Sequence, residues 1–155
     1  MKQSFNIYYR EVSIEEGFRI LAENKENRLV RGKKVSAPRG VSLFQREHSA
    51  GNRLSCWCCG ITATCFVASK HKNDLQEKPP VLDLYAYSRM QLVLMTRDHI
   101  IPKSLGGSND IRNLRIGCVV CNKDRGNTMS EDETKFMADN PHLIIKGHYD
   151  QIIKK

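Results

Sequence analysis

The sequence predicts one compact domain of the α+β class. Its 155 residues suffice for a single hydrophobic core and leave little room for a second one. Strand-like segments occupy the middle of the chain, and helical patterns lie towards its two ends. Two Cys-x-x-Cys pairs flank most of the strand-like part, a spacing typical of a structural zinc ion. We therefore expect a metal-stapled α+β unit with short appendages.

The charge and the N-terminus limit the class of protein. Lysine and arginine total 25 against 17 acidic residues, a formal net charge of +8. This excess favours a polyanion, nucleic acid first, although a solvated basic surface is the alternative. Neither a signal-peptide core nor an apolar run of membrane-spanning length is found, so we expect a cytoplasmic protein without a membrane partner. Cytoplasmic cysteines stay reduced, which favours metal ligation over disulfides.

Residues 1–53 predict a basic N-terminal extension with a short helix. Ser13 and Glu16 have capping-box spacing, which predicts a helix from residue 14 to about residue 24. A run of cations without an intervening acid follows: Arg28, Arg31, Lys33, Lys34 and Arg39. We expect a flexible arm in which Arg31, Lys33 and Lys34 contact phosphates; a solvated loop is the alternative.

The rest of the chain alternates strand and helix signals. Residues 61–68, 81–87 and 91–96 are rich in β-branched and aromatic types and predict strands. The polar connection 69–74 and the following Pro79-Pro80 predict a break outside the sheet. One helix is expected from about Cys118 to Gly126, and another from Ser130 to before Pro141.

The two Cys-x-x-Cys pairs form the most specific pattern from the residues alone. The predicted zinc ligands are Cys56, Cys59, Cys118 and Cys121. Four thiolates close a tetrahedral shell, which suits structural zinc and leaves no open position for catalysis. Cys58 competes with Cys56, which we choose because Cys59 then fits the second position of a chelating turn. Cys65 is expected to be a buried apolar residue, and His48 and His71 are alternative ligands expected at the surface.

A second group of short motifs lies between the two cysteine pairs and directly after them. In order they are Asp98-His99-Ile100-Ile101-Pro102, Gly106-Gly107, Asn113-Leu114, Cys121-Asn122 and Arg125-Gly126. Together they resemble the HNH endonuclease family, specifically its members with a four-cysteine zinc site. The resemblance implies a ββα-metal core, to which we assign residues 54–128, followed by a C-terminal helix and tail at 129–155.

The resemblance also implies a role for each motif residue. Asp98 and Asn122 would hold a divalent cation, Mg²⁺ or Mn²⁺, and neutral His99 would take a proton from the attacking water. Asn113 would hold the histidine ring. Asp124 and Asn127 are rival metal ligands to Asn122, and Asn109 and Asn113 can each be read as an ordinary loop residue. His142 and His148 lie outside the motif.

The predicted substrate is DNA, duplex or branched. Lys103, Lys123 and Arg125 flank the motif and are expected to contact phosphates. The expected activity is metal-dependent phosphodiester hydrolysis in a bacterial or bacteriophage-infected cell. A zinc-stapled nucleic-acid-binding module that does not cut is the alternative from another class, and RNA cleavage would use the same machinery.

Overall fold

The computed structural model describes residues 6–71 and 78–145. In chain order its elements are β1 (Asn6–Ser13), α1 (Ile14–Ala22), β2 (Leu29–Val30), β3 (Lys33–Lys34), α2 (Val41–Ser49), β4 (Cys65–His71), β5 (Val81–Ser88), β6 (Gln91–His99), β7 (Leu114–Cys118), α3 (Val119–Arg125) and α4 (Glu131–Asp139). This mixture of helices and strands confirms the predicted class. Within the two described ranges, no helix has the length and apolar character needed to cross a membrane.

A five-stranded antiparallel sheet forms the centre of the fold, in the order β1-β4-β5-β6-β7. β5 and β6 pair only near their shared turn, from Tyr85↔Leu94 to Ser88↔Gln91. The second half of β6 pairs with β7, as far as His99↔Leu114. The sheet therefore separates between the first half of β5 and the second half of β6.

The hydrophobic core lies between one face of this sheet and the first two helices. Phe66 and Leu84 on the sheet are fully buried, and Leu21 of α1 and Phe44 of α2 join the same cluster. Gly17 lets α1 lie directly on the sheet, because a Cβ there would come within 2.1 Å of the Phe66 ring. The N-terminal elements thus share one core with β4–β7, whereas the predicted domain boundary at residue 53 stays a prediction.

The predicted flexible basic arm is wrong for residues 29–36, which form a docked hairpin. β2 pairs with β3 around Arg31-Gly32, and both turn residues have positive φ. Val30 and Val35 are buried. The Ser36 N–H donates to the Pro80 carbonyl at 2.9 Å, and the Leu82 N–H donates to the Ser36 carbonyl at 2.9 Å. Val30 and Val35 anchor the hairpin, while Arg31, Lys33 and Lys34 remain exposed.

Local helix signals are confirmed. Ser13 accepts a hydrogen bond from the Glu16 N–H at 3.1 Å and caps α1, which ends two residues earlier than predicted. α3 follows Cys118 and stops at Gly126, which has φ of 55°. Ser130 caps α4 through the Glu133 N–H, and the helix ends before Pro141.

Strand boundaries are less accurate. β5 confirms its prediction, but β4 begins only at Cys65 and continues through His71, so the predicted break at residue 69 is wrong. β6 runs past residue 96 and includes Asp98 and His99. β1 and α2 are absent from the sequence prediction. Residues 72–77 and 146–155, with most of the predicted tail, lie outside the described residues.

Candidate active site and cysteine cluster

Four cysteines converge beside β7. The sulfur atoms of Cys56, Cys59, Cys118 and Cys121 all lie within 4.8 Å of one another. Cys118 ends β7 and Cys121 lies in the first turn of α3, so that strand and helix share the cluster with the loop that precedes β4. Cys58 is exposed and outside the group. The cluster thus contains Cys56 and not Cys58, and Cys56 as a zinc ligand stays a prediction.

The surroundings of the cluster suit a thiolate-bound metal. Burial raises the pKa of Cys56, but backbone N–H donors of Cys118, Cys59 and Cys58 outweigh it and lower this pKa to about 6. Burial and the neighbouring thiols raise the pKa of Cys121. Its backbone N–H donates to the Cys118 sulfur at 3.4 Å. Four sulfur donors at this spacing fit zinc, which binds such thiols in their deprotonated form.

Two of the other predicted alternatives, Cys65 and His48, do not join the cluster. Cys65 is 3% exposed, and burial raises its pKa to about 11, as expected of a core thiol. His48 stacks on Phe18 with ring centroids 4.1 Å apart, which explains its position on α2 without a metal. The side chain of His71 lies outside the described residues.

His99 lines a cavity of about 510 Å³ at the point where β5 and β6 separate. Residues two apart on a strand share a face, so His99 and Arg97 project on the same side of β6 as buried Met95. Arg39 and Lys103 also line the cavity. Arg39, Arg97 and Lys103 form no ion pair with another described residue. The imidazole therefore faces an accessible space with excess positive charge.

Asn109 holds the imidazole of His99. The two side chains are joined by a hydrogen bond of 2.8 Å between Nε2 and Oδ1. An amide oxygen can only accept, so Nε2 carries the hydrogen and the lone pair of the neutral ring is on Nδ1. From the sequence alone, Asn109 can be an ordinary loop residue. The sequence signal for its role is weak: Asn109 follows His99 by ten residues, in a loop with two glycines.

Asn113 holds the chain beyond His99 rather than the ring. Its Oδ1 accepts from the Ile101 N–H at 2.8 Å, and its Nδ2 donates to the carbonyls of Ile101 and Ser108. The side chain is fully buried. Gly107 permits this close loop, because a Cβ there would lie 1.8 Å from the Ile101 carbonyl oxygen. The predicted ring contact is thus replaced by a backbone clamp.

Asp98 projects from the opposite face of β6 and enters an ion-pair network. Its carboxylate accepts from Arg115 Nε at 2.9 Å and from Arg125 Nη1 at 3.2 Å. Both guanidinium groups also bind Glu133 of α4. Arg125 further donates to the carbonyls of His99 and Ile100. The side chain of Arg125 is only 7% exposed. It therefore connects buried groups of the protein and is not placed to make the predicted phosphate contact.

Asn122 lies over the same face of β6 as Asp98. Its Nδ2 donates to Thr96 Oγ1 at 2.5 Å, and the Thr96 hydroxyl donates to the Gly117 carbonyl. Its Oδ1 is buried without a partner among the described residues, as is Nε1 of Trp57. A Cβ on Gly117 would lie 2.5 Å from that Oδ1 and 3.1 Å from that Nε1. The free acceptor and the free donor are therefore neighbours.

The predicted catalytic cation does not fit these residues as they are arranged. Two guanidinium groups already neutralise the Asp98 carboxylate, and a cation beside them would meet like charge. The Asn122 oxygen lies beside Gly117 and the indole Nε1 of Trp57, and it forms no hydrogen bond with another described residue. Apart from the cysteine cluster, the described residues contain no group of three cysteine, histidine or carboxylate ligands.

The other predicted phosphate contacts have different positions. Lys103 lines the His99 cavity, and Lys123 is exposed on α3. Arg31, Lys33 and Lys34 line a separate cavity beside the hairpin. The rival ligands Asp124 and Asn127 are exposed.

Asp83 is a site residue that sequence reasoning missed. It lines the His99 cavity from β5, and burial raises the pKa of its carboxyl to about 6, although a hydrogen bond from Ser69 opposes the shift. An aspartate at one position of a strand gave no local signal. Only the separation of β5 from β6 places it in this cavity.

Comparison with known proteins agrees with the motif. Residues 89–136 match the family model described as HNH endonuclease. No curated protein and no solved structure matches the chain. The match covers β6 and β7, the loop with Asn109 and Asn113, α3 and the first part of α4. Residues 89–136, which include Cys118 and Cys121 of the four-cysteine cluster, are thus similar to the HNH endonuclease family.

Proposed function

We propose that the protein is a DNA endonuclease in which His99 acts as the general base. One observation carries this proposal: a histidine at the family's motif position lines an accessible cavity, with Nδ1 left to accept a proton. The ordinary pKa of a histidine lies near neutrality, so this residue type exists largely as the free base under physiological conditions.

The cavity around His99 supplies the other needs of phosphodiester hydrolysis. Arg39, Arg97 and Lys103 can bind the phosphate oxygens, whose negative charge grows as water attacks. Asn109 fixes the ring, and Asn113 fixes the loop behind it. A water molecule placed between Nδ1 and the phosphorus would lose its proton to His99 as its oxygen bonds to phosphorus. The bond from phosphorus to the 3′ oxygen would break at the same time, and the departing 3′ oxygen would take a proton from solvent.

Nucleases of the HNH family use divalent metal ions. The cysteine cluster is suited to structural zinc, and we propose zinc as its ion. Asp98 and Asn122 are the ligands that the sequence predicts for Mg²⁺ or Mn²⁺, but Asp98 does not fit that role while it is paired with two arginines. No catalytic step is therefore assigned to that ion.

The direct experiment is incubation of supercoiled plasmid DNA with the purified zinc-loaded protein. Reactions with Mg²⁺, with Mn²⁺ and without added cation are compared by gel electrophoresis. Nicked or linear product supports the nuclease. Tight DNA binding with no product under any of these conditions would favour the binding module that does not cut. The cation dependence of the product bears on Asp98 and Asn122, separately from His99.

A further inference from the structure

A second basic cavity lies beside the docked hairpin, outside the region matched by the family model. Its volume is about 570 Å³. Six cationic side chains line it: Arg10, Arg31, Lys33, Lys34, Lys70 and Lys78. No acidic residue is among its described lining residues, and no described ion pair involves any of the six. From this excess of unpaired positive charge, we infer that the cavity binds the phosphodiester backbone of the DNA substrate.

The cations are held in place by the fold and do not belong to a free loop. Val30 and Val35 anchor the hairpin in the core, and its two-residue turn has positive φ at Arg31 and Gly32. Arg10 and Lys70 project from the paired strands β1 and β4. Ordering such a surface on binding costs less conformational entropy than ordering a flexible arm.

The lining favours phosphates over bases as the bound groups. The apolar residues of the described lining are Val30, Val35, Ala68, Pro79 and Pro80, so this part of the lining offers no aromatic ring for base stacking. Lysine ammonium groups act as point charges that suit phosphate oxygens. Recognition here would therefore be electrostatic and independent of base sequence.

The second cavity is adjacent to the His99 cavity. Val35 and Pro80 line the former, and Ala37 and Val81 line the latter. Ser36 lies between these lining residues in the chain, and it is hydrogen-bonded to Pro80 and Leu82. Two residues of extended chain span roughly 7 Å, so one nucleic-acid strand can contact both cavities. This inference rests on the proposed function and extends it to a phosphate track.

The test measures DNA binding without cleavage. Wild-type protein and a Lys33→Ala/Lys78→Ala variant are titrated into a fluorescent DNA duplex at several salt concentrations, with no added divalent cation. Both lysines are exposed and come from different segments of the lining, so the variant should fold. Its plot of log affinity against log salt should be shallower than that of the wild type by about two, since two phosphate contacts are lost.

A matched control removes the same charge elsewhere. Lys25 and Lys135 are exposed and line neither cavity, so Lys25→Ala/Lys135→Ala should leave the salt slope near the wild-type value. Equal slopes in all three proteins, or equal changes in the two variants, would overturn the inference. Absence of plasmid cleavage would instead count against the proposed nuclease.

Discussion

At the scale of single residues, the His99 cavity combines a base with an unusual acid. Asp83 lines the same cavity, and burial raises the pKa of its carboxyl to about 6. The unfolded chain releases that proton near the ordinary value of about 4. The folded state therefore binds an extra proton between these two pH values, and it bears a desolvation penalty at higher pH.

The first prediction concerns this penalty. The free energy of unfolding of the wild type should fall as pH rises from about 4 to about 6, by up to about 3 kcal/mol from this group, and this contribution should then stay constant. Asp83→Asn should remove that decline and be the more stable protein at pH 7. Urea unfolding at a series of pH values measures both. An Asp83→Asn profile parallel to that of the wild type would contradict the assignment.

The second prediction concerns Asn109, which we assign as a positioning residue. Asn109→Ala should lower kcat for DNA cleavage by roughly tenfold and alter its pH profile. The reason is that the His99 ring loses the hydrogen-bond acceptor that fixes its tautomer. Asn109→Asp retains an acceptor oxygen and should restore part of the rate, with a pH profile shifted upwards because the added charge favours the imidazolium. Asn127→Ala, at an exposed asparagine, is the control. An unchanged profile in Asn109→Ala would refute the role.

At the scale of elements, α4 is tied to the motif by its buried glutamate. Glu133 binds both arginines that neutralise Asp98, and its side chain is 8% exposed. Arg115 also stacks over Trp57, 3.6 Å from the ring centroid, and thereby connects the network to the cysteine-bearing loop. Removing one partner of a buried ion pair leaves an uncompensated charge, which is strongly destabilising.

The third prediction follows from that network. Glu133→Gln should lower the free energy of unfolding by about 3 kcal/mol, whereas Glu131→Gln, at an exposed position of the same helix, should change it by less than about 0.5 kcal/mol. Chemical denaturation of both variants is the measurement. Similar stabilities for the two would show that the network contributes little.

The fourth prediction concerns the loop and strand that supply the cysteines. Cys56→Ser should lose bound zinc and unfold at lower temperature, because zinc binding to such sites contributes on the order of 10 kcal/mol. Cys58→Ser should retain one zinc ion per chain and a wild-type melting temperature, since Cys58 is exposed outside the cluster. Metal analysis and calorimetry distinguish them, and loss of zinc in Cys58→Ser would reverse our ligand choice.

At the scale of the whole molecule, features set by neighbouring residues, such as helix ends, were predictable from the sequence. Features that depend on contacts between distant segments were not. Ser13, Ser130 and Gly126 act within one helical turn, so their helices were predictable. The pairing of β1 with β4 joins segments more than fifty residues apart, and no local pattern encodes it. Helix α2 lacks a side-chain cap at Gly40 and depends on the burial of Leu43 and Phe44 against the sheet.

The same distinction applies to the candidate site. The cysteine spacing predicted which four cysteines converge, because the two members of each pair are only three residues apart in the chain. The partners of Asp98 were not predictable, since Arg115, Arg125 and Glu133 meet it only after β7, α3 and α4 are assembled. Asp83 joins the His99 cavity only because two strands separate.

The central claim is that His99 removes the proton from the attacking water, and single-turnover cleavage of plasmid DNA by His99→Ala tests it most directly. The variant should bind DNA like the wild type and cut it at least about 100-fold more slowly. His142→Ala, at an exposed histidine outside the cavity, should cut at the wild-type rate. Cleavage by His99→Ala at the wild-type rate would contradict the account.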